Sequence, residues 1–393
     1  MSCRFTGRCN VRKCPLCLSA DNVVIVERSR VPVLQNVIVR TRQEAVDFPT
    51  GRLSICACRH CSFVWNDAFD PSAIDYGATY NNSVQASGVY LAHQAAMANR
   101  VLAADGDLHY LEIGCGEGEF IDALERTGRL KSAVGYDPAF HGDYAFGSHI
   151  TVFREYFEAR SSAKVPAMIN TVCSRHTIEH VPDPRAFMTE IARFVCERNV
   201  RLLMETPDVS WILKRAAFED FFYEHCSLYS PRSIAYLLTD FGLKCTVDLV
   251  YDSQYMWIEA EPADNHLLPA PVGDFADGVA ARLAEALDLW RGQIDRLRVR
   301  GPLAIWGAAS KGVTFALLVD GVDYAIDLNV QKQGGFLPVS AVPVVSPETA
   351  REAGVSTIMV MNPIYEMEIR RRVEAMDWNA LVISLRDNSR TSL

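Results

Sequence analysis

The chain has no long apolar run. Its most extended, such as residues 356–361, fall far short of the roughly 20 residues that a membrane-spanning helix requires. The N-terminus also lacks the apolar stretch of an export signal, so a cytoplasmic location is the expectation. Cationic excess is missing too. Lys and Arg number 39 against 48 Asp and Glu, a net charge of −9, which leaves no bulk positive field to gather nucleic acid or anionic lipid. Short-period repeats and low-complexity tracts are absent. Together these absences argue against a membrane protein, a fibrous chain or a non-specific nucleic-acid binder. They leave a globular protein, monomeric or weakly self-associating. At 393 residues, 49% of them hydrophobic, it can hold two or three domains with their own cores.

Cysteine is scarce beyond residue 61 and crowded before it. Seven of the 12 are Cys3, Cys9, Cys14, Cys17, Cys56, Cys58 and Cys61. Without an export signal, thiols stay reduced and a metal site explains the crowding better than disulfides. Cys14-Pro-Leu-Cys17 and Cys58-Arg-His-Cys61 are two Cys-x-x-Cys knuckles, separated by 40 residues. Each grips one ion from a tight turn, and two knuckles supply the tetrahedral four-thiolate set of a closed, structural zinc site. Cys14, Cys17, Cys58 and Cys61 are the expected ligands, with Cys9 or Cys56 as possible replacements. Reduced, unligated thiols are the bland alternative.

Three compositional regions follow: a zinc-binding module (1–75), an α/β region (76–265) and a second α/β unit (266–393). In the first, short β-like runs occur at 23–26, 36–39 and 53–56. In the second, strand-like runs at 109–113, 133–137, 167–173 and 201–205 alternate with amphipathic segments. That alternation predicts a parallel sheet covered by helices, closed by an antiparallel hairpin at 244–250 and 256–260. A helical stretch at 275–298 leads into the third region, with strands expected at 302–306, 324–328, 355–361 and 380–385.

Within the second region, His109-Tyr-Leu-Glu-Ile-Gly-Cys-Gly-Glu-Gly118 places a strand before a glycine loop and a helix after it. Gly114, Gly116 and Gly118 let the backbone turn sharply and approach a ligand at the helix N-terminus. Alone, this is compatible with a dinucleotide. Two details point elsewhere: Glu112 on the strand, and a Gly-x-Gly-x-Gly loop whose last gap is shorter than in the dinucleotide fingerprint. The next strand ends at Asp137, about 20 residues on, where a carboxylate can accept both hydroxyls of a ribose. The pattern resembles class I S-adenosylmethionine (SAM) methyltransferases, in which Cys115 lies in the cofactor loop. That resemblance implies adenine contacts at Glu155 and Tyr156 in Arg154-Glu-Tyr-Phe-Glu158. It also sets His176 near the sulfonium and His180 near the acceptor in Ser174-Arg-His-Thr-Ile-Glu-His-Val-Pro-Asp-Pro184. A solvated amphipathic turn is the bland alternative at Glu155 and Tyr156.

Farther on, Tyr223, Glu224 and His225 set an imidazole beside a carboxylate that could hold its tautomer and raise its basicity. The C-terminal unit reads Trp306-Gly-Ala-Ala-Ser-Lys-Gly312 and then Asp327-Leu-Asn-Val-Gln-Lys-Gln-Gly-Gly-Phe-Leu-Pro338. This order of knuckles, glycine loop, Glu-His pair and C-terminal unit resembles the zinc-containing nucleotide-sugar C-methyltransferases of deoxysugar pathways, over nearly the whole chain. The resemblance implies a nucleoside-diphosphate-linked 4-keto sugar as small-molecule acceptor, and a carbon made nucleophilic by loss of its proton. Base and partner fall on His225 and Glu224, and the other histidine on His180. A tyrosine falls on Tyr76 or Tyr80 in Asp75-Tyr-Gly-Ala-Thr-Tyr-Asn-Asn-Ser83, where Asn82 and Ser83 are further substrate contacts. Phe222 stands where that family has a tyrosine, with Tyr223 as a possible substitute. In the C-terminal loop, Lys311 is suited to phosphate, and with Lys332 and Gln333 is expected to contact the acceptor's diphosphate or nucleoside or to close the cleft.

Two other functions fit the same residues. One is O- or N-methylation of a sugar or polar metabolite, with His225 deprotonating the acceptor. The other is a non-catalytic adaptor whose zinc module, flanked by Arg4, Arg8, Arg12 and Lys13, binds a macromolecule. The intact glycine loop and Asp137 weigh against the second.

Overall fold

The computed structural model describes residues 12–74, 87–103, 106–142, 146–264, 267–271 and 273–385. Near the N-terminus, β1 (Asn22–Pro32), β2 (Thr50–Cys58) and β3 (Val64–Asn66) pair antiparallel. Their β-branched residues suit a pleated, half-buried surface. Two register shifts, between Val24 and Val26 and between Arg28 and Val31, bend β1 over its neighbour. The strand expected at 36–39 does not form. That segment leaves β1 for the C-terminal unit, where Val39 makes an isolated bridge to Phe336. Its apolar side chains are used by burial there, without a ladder.

Strands β4 (Leu108–Ile113), β5 (Leu130–Tyr136), β6 (Ile150–Phe153), β7 (Thr171–Arg175) and β8 (Arg201–Pro207) run parallel. After them come β9 (Ser227–Leu228) and the antiparallel hairpin β10 (Leu243–Val250) and β11 (Tyr255–Pro262). Among the described residues, the sheet order is β10-β11-β8-β7-β4-β5-β6. β6 is an addition to the expected strands. β7 starts only at Thr171, because residues 166–169 close a turn in which the Ile169 N–H bonds the Pro166 carbonyl. The chain reverses its winding between β4 and β7, and ligands of such sheets bind beyond the strand ends at that switch.

A third sheet is wholly parallel: β12 (Leu303–Trp306), β13 (Tyr324–Ile326), β14 (Val344–Val345), β15 (Thr357–Val360) and β16 (Leu381–Ser384), in the order β14-β13-β12-β15-β16. The helix Val279–Leu297 buries Val279, Leu283, Ala286, Trp290, Ile294 and Leu297 at spacings of three and four. That stripe belongs to one apolar cluster joining the N-terminal sheet (Ile25, Leu53, Ile55) to the third sheet (Leu303, Ile305). A second cluster joins the four cysteines to the central sheet through Phe63, Trp65, Met204 and Tyr229. Among the described residues, no helix is long and apolar enough to cross a membrane.

Candidate active site

The two knuckles converge. Cys14 Sγ lies 3.6 Å from Cys61 Sγ and Cys17 Sγ lies 3.5 Å from Cys58 Sγ, and all four fall within 4.8 Å of one another. Zinc–sulfur bonds of about 2.3 Å in a tetrahedron set sulfurs about 3.8 Å apart, so the donors fit zinc. Each knuckle turns alike: the N–H of Leu18 bonds Cys14 O and that of Ser62 bonds Cys58 O, with Leu18 and Ser62 both at φ 63°. Cys56 is buried outside this set and receives a contact from Arg12. Cys3 and Cys9 lie outside the described residues.

At the switch point, Gly114, Gly116 and Gly118 all have positive φ (76°, 56° and 87°). A β-carbon on Gly114 would stand 2.0 Å from Thr177 Oγ1, so the loops after β4 and β7 touch there. A β-carbon on Gly116 would meet nothing within 4 Å, which leaves an open cradle against the backbone. Asp137 closes the loop's other side: its carboxylate accepts from the N–H groups of Gly116 and Ala139, each at 2.8 Å. Glu112 is fully buried, with Oε2 lacking a hydrogen-bond partner, and burial pushes its carboxyl up to about 8 despite Arg175 nearby. Cys115 is buried under the loop. An open glycine cradle, a ribose-spaced carboxylate and an orphaned buried acid fit SAM.

Glu155 and Tyr156 follow β6. Glu155 is paired with Lys164 at 2.5 Å, and Tyr156 is 70% exposed, standing clear of the packed structure. His176, at φ 48°, sits between two carboxylates, 3.4 Å from Glu179 and 3.6 Å from Glu205, with its ring edge-on to Tyr255.

His180 and His225 come together, their rings perpendicular with centroids 4.8 Å apart, and Phe222 packs on His225 at 4.2 Å. Burial, reinforced by His180, drives His225 down to about 3, so its imidazole is neutral near pH 7. Burial also lowers His180, against the pull of Glu179. The carboxylate facing this pair is Glu179, and the expected partnership with Glu224 does not form. Glu224 turns away to the Gln35 backbone with no well-formed hydrogen bond to either oxygen, and burial pushes it up to about 8. Tyr223 also points elsewhere: its hydroxyl accepts from the Asp70 N–H at 2.9 Å and its ring fills the space over Gly51. It does not replace the hydroxyl missing at Phe222. Tyr76, Tyr80, Asn82 and Ser83 lie outside the described residues.

The C-terminal loop behaves differently from expectation. The Ala308 N–H is taken by Asp327 (3.0 Å), while Lys332, buried, bonds the Ala308 carbonyl (3.1 Å) and Gln333 bonds the Asp327 carbonyl (2.9 Å). Lys332 and Gln333 therefore pin the loop and are not available to a diphosphate. Lys311 does approach the site, but its ammonium is 2.5 Å from Asp220 and lies over Trp211.

Sequence reasoning missed a buried network beside the cofactor edge. Glu205, fully buried, accepts from His93 (2.5 Å) and Arg175 (2.8 Å). Burial pushes Glu205 up, yet Arg175, His93 and His176 hold it at about 2. Glu179 was visible in the Ile-Glu-His run but carried no assigned role. Its burial is likewise outweighed, mainly by His176, and it too is held at about 2.

Residues 90–247 match the family model of a methyltransferase domain. With the glycine cradle at the switch of a parallel sheet, this makes the protein a SAM-dependent methyltransferase. Residues 261–384 match a C-methyltransferase C-terminal domain, so the third sheet belongs to a unit that C-methyltransferases carry. The chain is 24% identical over 374 residues to C-methyltransferase NovU of Streptomyces niveus, covering 86% of this chain and 87% of that one. Weaker likenesses reach solved structures. The plantazolicin methyltransferase BpumL in complex with SAH is 10% identical (TM-score 0.37, 50% of this chain and 91% of that one). An O-methyltransferase family protein from Burkholderia thailandensis is 15% identical (TM-score 0.36, 45% and 58%).

Proposed function

We propose that the protein methylates a carbon of a nucleotide-linked keto sugar, with His225 as the base. The observation that carries this is the His180–His225 pair, half-buried beside Glu179 on the loop that follows β7, next to the cofactor cradle of β4. Similarity to a C-methyltransferase along most of the chain supports carbon as the acceptor.

Gly114 to Gly118, Glu112 and Asp137 would hold SAM, whose chemistry there is the supply of an electrophilic methyl group. His225, neutral near pH 7, has a lone pair for the proton on the carbon next to the ketone. As that C–H bond breaks, its electron pair moves into the enolate and His225 becomes an imidazolium. The buried Glu179 carboxylate offsets the new positive charge, which compensates for the low intrinsic basicity of a desolvated imidazole. His180, which donates to the Glu224 carbonyl, lies against His225 as a second imidazole at the base.

The test is exchange of the acceptor's C–H in deuterium oxide, together with SAM-dependent gain of one methyl on a panel of nucleotide-linked 4-keto and hydroxyl sugars. Exchange should fall by roughly 10²- to 10⁴-fold in His225→Gln, with SAM affinity unchanged. Methylation without any exchange would instead point to a hydroxyl or amine as acceptor.

A further inference from the structure

The residues around His225 hold a second set of metal donors. We infer that Glu179, His180 and His225 form a binding site for a divalent transition-metal ion, separate from the four cysteines. Each offers one ligand atom, and the three atoms lie within 4.8 Å of one another. Bonds of about 2.1 Å set donors roughly 3 to 3.5 Å apart, so imidazole rotations that draw the trio together by about an ångström complete the set. Glu179 is 1% exposed; its Oε2 accepts from the Thr206 hydroxyl at 3.0 Å, while Oε1 accepts no hydrogen bond and His176 Nδ1 stands off at 3.4 Å. A buried carboxylate with two further imidazole donors within 4.8 Å of its ligand atom favours a cation.

The supporting contacts are those that metal ligands use. A ring nitrogen of His180 donates to the Glu224 carbonyl, which orients the ring, and the Thr206 hydroxyl orients the carboxylate. Two imidazoles and one carboxylate suit Mn²⁺, Fe²⁺, Co²⁺, Ni²⁺ or Zn²⁺ better than Mg²⁺ or Ca²⁺. Three protein ligands leave open positions, and both histidines are only half-buried, so those positions face the cleft. An ion here uses the lone pair that proton abstraction needs. In this respect the inference rests on His225 being the base, and predicts that the ion blocks the enolate route.

The experiment is a Co²⁺ titration of the full-length, zinc-replete protein followed by visible absorption and by metal analysis. One further Co²⁺ per chain is expected, with weak d–d bands and none of the intense charge transfer that thiolates produce. His180→Asn and His225→Asn should each lower its affinity at least tenfold and leave the thiolate-bound zinc in place. Glu179→Gln is a third variant should either histidine variant fail to fold. A stoichiometry of one metal per chain, or a second Co²⁺ indifferent to these changes, overturns the site. Deuterium exchange in the same samples separates the two ideas: loss of exchange on Co²⁺ loading supports both, whereas binding with undiminished exchange upholds the metal site and overturns His225 as the base.

Discussion

Glu112 shows how one buried side chain can oppose folding. Its carboxyl is shifted from an ordinary 4.5 to about 8 by burial. The fold therefore holds a proton that the unfolded chain releases above about 4.5, and its stability should decline as pH rises from there until it passes 8. Glu112→Gln removes this penalty. The variant is expected to melt a few degrees higher than the parent at pH 8, the two converging near pH 4.5, as read by thermal unfolding without cofactor. Calorimetry near pH 7, where the carboxyl is protonated, should show SAM binding weakened by roughly 3- to 10-fold, the cost of one neutral hydrogen bond. Glu205 works in the opposite sense. Held at about 2 by its cationic neighbours, it adds stability that is complete above 4.5 and is lost as pH falls toward 2. Replacing it with Gln should remove much of the acid-side slope of the same melting curve. His225 itself lies four residues after Phe221, whose carbonyl accepts from the half-buried Arg28 of β1 at 2.7 Å, so its backbone is anchored from the N-terminal sheet.

Among the elements, β9 links zinc to chemistry. It starts two residues after His225 and pairs with β3, Val64 opposite Leu228 and Trp65 opposite Ser227. The Asn66 N–H also bonds the Cys226 carbonyl, and the Ser230 hydroxyl bonds the carbonyl of Ser62, the residue after the second knuckle. The zinc-bearing sheet thus extends to the loop that carries His225. Metal here substitutes for apolar area that a small module cannot bury. Stripping zinc with a chelator, or Cys17→Ser, should abolish methyl transfer while SAM affinity changes less than threefold, because the glycine cradle is built on β4 and β5. Equal loss of both in a binding and turnover assay would show that the module supports the whole fold rather than this loop.

Across the whole molecule, the three sheets share cores instead of standing apart. Trp290, fully buried on a helix of the third unit, packs in the cluster that also holds Leu53 and Ile55 of β2. Trp290→Ala should cost about 3–5 kcal/mol by denaturant unfolding, with zinc retention impaired as well. The Lys311–Asp220 pair joins the third unit to the segment before His225, with both side chains mostly buried. Lys311→Met leaves Asp220 without its cation and should raise the acceptor KM, while Lys311→Met combined with Asp220→Asn should recover part of it, a coupling of about 1–3 kcal/mol in a double-mutant cycle.

The sequence by itself determined what depends on near neighbours. Cys-x-x-Cys spacing dictates a knuckle, three glycines in five residues dictate a turn that only a ligand-cradling loop uses, and alternating apolar periods dictate a parallel sheet with helices over it. Tertiary structure decided what depends on direction and on distant segments. Glu224 and His225 are adjacent, but Glu224 sits in a turn that sends its carboxylate to the Gln35 backbone; the carboxylate that faces His225 is Glu179, 46 residues earlier. Lys332 and Gln333 looked like diphosphate ligands by charge and polarity, and became pins of their own loop because Asp327 and Ala308 lie within reach. The His93–Glu205–Arg175 network joins three segments far apart in the chain, and no spacing rule encodes it. Such contacts arise only when packing brings buried charges together and burial forces them to find one another.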